Sequence, residues 1–259
     1  MITQTPSFIT ESVLSPTRVD FEVNRYEEII AQKGVDVQIE KSLLCPCKVK
    51  SSSNLSNCKN CGGSGWIFAT PTITRLIVQS INLNTDYKAW SEELKGTIKV
   101  SSSATEELSF MDKLTLLNAE SIFSEIIYLD GANQEQNSVT LGYSPKQIIC
   151  AAKFDSTTTP LTFLTKDIDY TIVNNIFTLI SYRDEKDISI TLRYKHAPVY
   201  YILDFNRENM QTFVLKDKEE ISNMPTFAIA KRAHYVLNMQ NSTNNRLLLN
   251  PWPNQNNCK

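Results

Sequence analysis

Four cysteines carry the clearest chemistry in this chain. Cys45-Pro46-Cys47 and Cys58-Lys59-Asn60-Cys61 flank a short polar segment, and Gly62, Gly63 and Gly65 follow at once. Thiolates are strong ligands for zinc, and two close pairs joined by a loop can converge on one tetrahedral ion. The second pair has the stronger form: a thiolate in a Cys-x-x-Cys turn accepts backbone N–H bonds, and glycines just after it allow the positive φ that such turns use. The first pair has only Pro46 between its sulfurs, so the chain must fold back sharply for both to reach one metal. Three states are open to these thiols: a zinc site, disulfides, or free thiols. Zinc is the expectation, with Cys45, Cys47, Cys58 and Cys61 as ligands. Four thiolates leave no position for a substrate, so the metal is expected to be structural.

No other pattern competes with it. There is no Gly-x-Ser-x-Gly, no phosphate-binding loop, no Gly-x-Gly-x-x-Gly and no His-Glu-x-x-His. His196 and His234 are the only histidines and have no acid or cysteine at ligand spacing, so both read as interior or interface residues. Cys150 and Cys258 stand alone, which leaves a Cys/His nucleophile pair unsupported. The acids of the 183–187 loop lack the spacing of a calcium site. The chain is not expected to be an enzyme.

Composition narrows the partners. The chain has 259 residues, 41% hydrophobic and 21% charged, with a formal net charge of −2. That balance suits a globular protein with a sizeable core and argues against nucleic acid as the main partner, since such proteins carry a basic excess. No apolar run approaches the ~20 residues that cross a bilayer, so no membrane partner is expected. The start, Met1-Ile2-Thr3-Gln4-Thr5-Pro6, lacks the charged and apolar regions of a signal peptide. Synthesis in a reducing cytosol is therefore expected, which favours zinc over disulfides. Seven glycines beside abundant Asn, Ile, Lys and Ser suggest an AT-rich genome.

The elements that must position the cysteines are mostly strands. Val19, Val23, Tyr26 and Ile30 form one apolar helical stripe, started by Thr17 and ended by Lys33 and a left-handed Gly34. Val35, Val37 and Ile39 alternate with polar residues and predict a half-buried strand running into Cys45. Trp66 follows the second pair and is expected to pack beside the metal lobe, with ligand stacking as its other reading. Strands are predicted over 72–83, 96–100, 113–117, 122–129, 147–154, 161–164, 168–172, 176–182 and 188–195. Asn174-Asn175 makes a hairpin turn, and 199–205 follows Pro198 as an edge strand or bend. Residues 207–237 are ambiguous. From 238 to 259 the chain carries eight asparagines and is too polar for a core. Leu247, Leu248, Leu249 and Trp252 are its apolar exceptions. They suit docking on a neighbouring surface or pinning the tail to the same body.

The expected fold is mainly β: two small β-barrel or sandwich units with an N-terminal helix and a zinc-binding cysteine lobe. The expected divisions are 1–70 (arm, helix and zinc lobe), 71–138 (first β domain), 139–237 (second β domain) and 238–259 (C-terminal arm).

The order of helix, Gly34, strand, Cys45-Pro46-Cys47 and Cys58-x-x-Cys61-Gly62-Gly63-Ser64-Gly65-Trp66 resembles the N-terminal part of tailed-bacteriophage structural proteins, in particular neck or head-to-tail connector components. Asp169-Tyr170-Thr171-Ile172 and the segment from Leu192 to Tyr200 look like virion β-domains, and the composition is similar to that of crAss-like phages. The resemblance touches residues 20–70 and 165–205. It implies a structural virion protein that is made in the host cytoplasm. It further implies a homo-oligomeric ring of about six or twelve copies, bound to the portal and to other neck or tail proteins. Cys58-x-x-Cys61-x-Gly63-x-Gly65 also resembles the zinc repeat of DnaJ-type chaperones, but their His-Pro-Asp signature is missing. The rival reading is a zinc-ribbon module binding nucleic acid or a transcription complex. Lys41, Lys48, Lys50 and Lys59 favour it, although four thiolates on Zn²⁺ leave a charge that those lysines can simply balance.

Overall fold

A computed structural model describes residues 23–47, 58, 60–61, 64–80, 96–129, 138–155, 159–181, 188–207, 211–215 and 219–236. The first elements are helix α1 (Val23–Lys33) and strands β1 (Val35–Glu40), β2 (Ser42–Leu44), β3 (Trp66–Phe68) and β4 (Thr72–Ser80). Then come β5 (Thr97–Ser101), β6 (Lys113–Leu116), β7 (Ser121–Leu129), β8 (Ser138–Thr140), β9 (Pro145–Phe154) and β10 (Thr162–Phe163). Next are β11 (Tyr170–Val173), β12 (Ile176–Leu179), β13 (Ile188–His196) and β14 (Val199–Arg207). The last are β15 (Gln211–Leu215), β16 (Glu219–Asn223), β17 (Phe227–Arg232) and the short helix α2 (Ala233–Val236). The chain is mainly β, as its alternating patterns predict.

Six strands close a barrel in the order β1-β4-β5-β17-β14-β6, with β6 returning to β1. Its interior holds Val37, Ile39, Leu76, Val100, Leu114, Tyr200, Ile202 and Ala230, the inward half of each alternating strand. A separate four-stranded sheet, β10-β9-β13-β7, is inserted between β6 and β14. It covers a second core of Ile127, Leu129, Ile190, Leu192, Tyr194 and Phe177. The hairpin β11–β12 adds β8 as a third strand, and Asn174 takes the positive φ (58°) that its turn requires.

Three expectations are corrected here. First, Gly34 does not take a left-handed conformation: the glycines with positive φ among the described residues are Gly65 and Gly96. Gly34 donates its N–H to Ile30 O at 2.8 Å, and a Cβ there would strike that same carbonyl. Close approach, rather than dihedral freedom, selects glycine. Second, the strand after Pro198 is neither edge nor bend. It is β14, inside the barrel between β17 and β6, with Tyr201 and Ile202 fully buried. Third, strand pairing runs across the expected boundary at 138/139. β7 pairs with β13, while β14 and β17 complete the barrel begun by β1, β4, β5 and β6. Thr17 and Val19 lie outside the described residues, as does the 238–259 arm with Leu247, Leu248, Leu249 and Trp252.

A polar group sits inside the second core. Glu125 on β7 accepts the Tyr194 hydroxyl at 3.0 Å and the Gly142 N–H at 3.2 Å. Around it, Tyr143 stacks on His196 at 3.9 Å and shares a hydrogen bond with His234 Nδ1 at 3.4 Å. Both histidines are thus drawn into one aromatic cluster. Burial pushes the Glu125 carboxyl up to about 7 and the His196 imidazole down to about 4. A raised carboxyl favours the folded state at low pH, and that contribution is lost as pH rises through about 7. The depressed histidine works the other way, losing stability as pH falls through about 4 to 6.5. Comparing Glu125→Gln with the parent at each pH cancels the histidine. Denaturant unfolding should show the stability of Glu125→Gln relative to the parent rising by on the order of 2 kcal/mol from pH 5 to pH 8. A constant difference would mean that Glu125 is ionised throughout.

Candidate metal centre

The barrel strands β1 and β4 are antiparallel, from Val35↔Leu76 to Ile39↔Thr72. Beyond Glu40 and Lys41 the same two strands continue as β2 and β3, from Ser42↔Phe68 to Leu44↔Trp66. The register slips by one residue at the join, where Pro71 offers no N–H to the ladder. The cysteines therefore sit at the tip of a hairpin rooted in the barrel wall. Cys45 follows β2 directly and donates its N–H to Gly65 O at 2.9 Å. Gly65 has φ 76°, a conformation that glycine adopts without strain. Ser64 locks the turn between them: its N–H and its hydroxyl both donate to Cys61 O, at 3.0 and 2.7 Å, and its oxygen accepts the Trp66 N–H at 3.2 Å.

This local folding brings Cys45, Cys47, Cys58 and Cys61 together, with all four sulfurs within 4.8 Å of one another. The Cys45–Cys58 sulfurs are 3.7 Å apart and the Cys47–Cys61 sulfurs 3.5 Å. A metal bound tetrahedrally at about 2.3 Å from each thiolate would separate the sulfurs by about 3.8 Å. A disulfide would bring a pair to about 2.05 Å. All four cysteines are free, with Cys45 and Cys61 buried and Cys47 and Cys58 half-buried. The donor set and spacing fit a metal ion, and these residues could hold one.

The electrostatics agree with a shared cation. The backbone N–H groups of Cys61 and Asn60 pull the Cys58 thiol down to about 6. Burial raises the Cys45 thiol. Burial and the surrounding sulfurs raise Cys47. Without a metal, Cys58 is the readiest thiolate, while Cys45 and Cys47 are held to their protons. A divalent cation would displace them, so metal binding must release protons.

The root of the hairpin is held by a residue that no local pattern marks. Asp112 is fully buried. Its Oδ1 accepts the Ser42 N–H and its Oδ2 the Ser109 N–H, both at 2.8 Å. Lys41 lies 3.7 Å from the same carboxylate and 2.8 Å from Glu106. Ser42 Oγ donates to Phe110 O at 2.7 Å, and the Phe110 ring meets Trp66 edge-on at 5.8 Å. Trp66 is half-buried, and with Phe68 it packs on the second core. Lys41 is thus engaged by acids, while Lys48, Lys50 and Lys59 lie outside the described residues. Ser42 and Asp112 are 70 positions apart, so only the closed fold reveals the pair.

The sequence matches no known protein family and no curated protein. Among the described residues no helix is long and apolar enough to cross a membrane.

Asp112→Ala would leave the Ser42 and Ser109 N–H groups without their acceptor and Lys41 without one of its acids. Chemical denaturation should show a loss of about 3–5 kcal/mol. Asp112→Asn, which keeps one acceptor, should cost less. Equal and negligible losses would show that the hairpin root is held by its strands alone.

Proposed function

We propose that this chain is a structural, non-enzymatic protein of a tailed-phage particle, a ring subunit in the neck that joins the portal to the tail, and that its four cysteines hold zinc. The observation that carries the reading is the use made of the thiol site. All four ligand positions are filled by the chain itself, at the tip of a hairpin whose root is fixed to the barrel by Asp112. Such a centre has no place for a substrate, and it stiffens a lobe too small to build an apolar core. An all-thiolate tetrahedral set suits zinc over the hard cations, which take oxygen ligands. The neck assignment rests on the resemblance of this helix–strand–cysteine order to connector components. The rival reading, a zinc ribbon for nucleic acid, is supported less, because Lys41 is spent on Glu106 and Asp112.

Native mass spectrometry with metal analysis on the purified chain tests both parts. The expected result is one zinc per chain in a species of about six or twelve chains. Chelation should lower the melting temperature without dissolving the barrel. A zinc-loaded monomer that shifts DNA or RNA in a salt-sensitive way would replace the ring with the ribbon reading. Absence of metal from protein purified under reducing conditions would remove zinc from the account.

A further inference from the structure

The four thiols fall into two pairs that cross the hairpin. Cys45 Sγ lies 3.7 Å from Cys58 Sγ, and Cys47 Sγ lies 3.5 Å from Cys61 Sγ. Each pair joins the chain just after β2 to the chain just before β3. Exposure divides the same pairs. Cys45 and Cys61 are buried, at 2% and 0% exposed, while Cys58 and Cys47 are half-buried. Each pair therefore has one sulfur that solvent reaches and one sheltered sulfur in contact with it.

That arrangement suits thiol oxidation. An oxidised thiol ends as a disulfide only if a second sulfur reaches it before further oxidant does. Closing either pair to the 2.05 Å of a disulfide takes about 1.5 Å of movement. The other pairing would join Cys45 to Cys47 and Cys58 to Cys61. At the first of these it closes a small ring through Pro46, whose φ is fixed. Bonds across the hairpin ask less of the backbone, which is already tied on both sides. Cys45 donates its N–H to Gly65 O, and Cys61 O accepts two bonds from Ser64.

We propose that the centre is also a site of oxidative modification by peroxides, closing as Cys45–Cys58 and Cys47–Cys61 disulfides. The accessible sulfur, Cys58 or Cys47, attacks one peroxide oxygen; the O–O bond breaks, a sulfenic acid forms and water leaves. The sheltered partner, Cys45 or Cys61, then attacks that sulfur; the S–O bond breaks, the S–S bond forms and a second water leaves. The two sulfurs give up two electrons, and the peroxide takes them. The two protons come from the thiols, or from solvent where the sulfurs are on a metal. The hairpin tip thus keeps a clasp outside reducing conditions. This deepens the reading of these thiols as a metal centre, yet depends only on the positions of the sulfurs.

Hydrogen peroxide on the full chain tests it, followed by alkylation, denaturation and non-reducing tryptic digestion. Trypsin cuts after Lys41, Lys48, Lys50, Lys59 and Arg75, so Cys58 and Cys61 part while Cys45 and Cys47 stay together. The expected product is a three-peptide complex of 42–48, 51–59 and 60–75. Fragmentation at the Cys45–Pro46 bond should show Cys45 carrying 51–59 and Cys47 carrying 60–75. The four clustered thiols should no longer alkylate, any bound zinc should be released, and the circular-dichroism spectrum should be kept. A chelator that lowers the melting temperature of the reduced chain should leave that of the oxidised chain unchanged. Peptide 42–48 closed on itself, with 51–59 joined to 60–75, would overturn the crossing, as would exchanged partners at Cys45 and Cys47. Sulfinic or sulfonic acids in place of disulfides would overturn the site. Crossed disulfides in a chain purified without zinc would uphold this inference and remove zinc from the account. The self-closed peptide from a zinc-loaded chain would do the reverse.

Discussion

The structure depends on one strand being buried on both faces. Along β14, Val199-Tyr200-Tyr201-Ile202-Leu203 is an unbroken apolar run, and it is apolar because neither side meets water. Tyr200 and Ile202 point into the barrel. Tyr201 and its neighbours Val199 and Leu203 face the core under the inserted sheet. One strand is therefore the common wall of two cores, and neither core is complete without it. The same strand reaches the cysteine hairpin. Phe68 of β3 packs on Tyr201 with ring centroids 5.9 Å apart. Ile202 accepts the Met111 N–H at 2.7 Å and donates its own N–H to Asp112 O at 3.1 Å. Asp112 in turn holds Ser42, next to the cysteines.

That path gives the thiol centre its mechanical meaning. A three-residue by three-residue ribbon cannot fold on its own area, and its exposed Leu43 and Leu44 add little. It is ordered at its base by a buried carboxylate and at its tip by four thiols, the two ends braced by different chemistry. Four thiols that could hold a metal ion gather at the tip, a hydrogen-bonded carboxyl group ties the base, and the strands between need only keep register.

What could be read from the sequence and what could not divide by range. The helix stripe at Tyr26 and Ile30, the alternation in β1 and β13, and the Asn174-Asn175 turn are local rules, and each is found in place. The cysteine cluster was legible too, because thiols able to share one ion announce themselves by type and spacing. The position of β14 was not. A run such as Val199–Arg207 looks alike in an edge strand beside a proline and in a wall between two cores; the difference lies in partners far along the chain. Asp112 and the gathering of His196 and His234 around Tyr143 were hidden for the same reason. The boundary near 138 failed because turn signals mark where strands end, not which sheet they join. β7 ends at Leu129, but its partner is β13.

The interleaving also sets an order on assembly. The inserted sheet leaves and re-enters the barrel at one place: Ser121 pairs with His196, and Leu116 donates its N–H to Pro198 O at 3.0 Å. Its two ends meet, so it interrupts the barrel in sequence without opening it in space. The barrel nevertheless needs β5 to find β17, with Val100 opposite Ala228 and over a hundred residues between them. The Cys45–Cys58 contact spans 13. By loop-closure entropy alone the barrel contact costs about 2 kcal/mol more to form. Local contacts of this kind form first and non-local pairings later. Loop closure alone thus favours pairing of β1 with β4 through the cysteine hairpin ahead of the closure of β5 on β17.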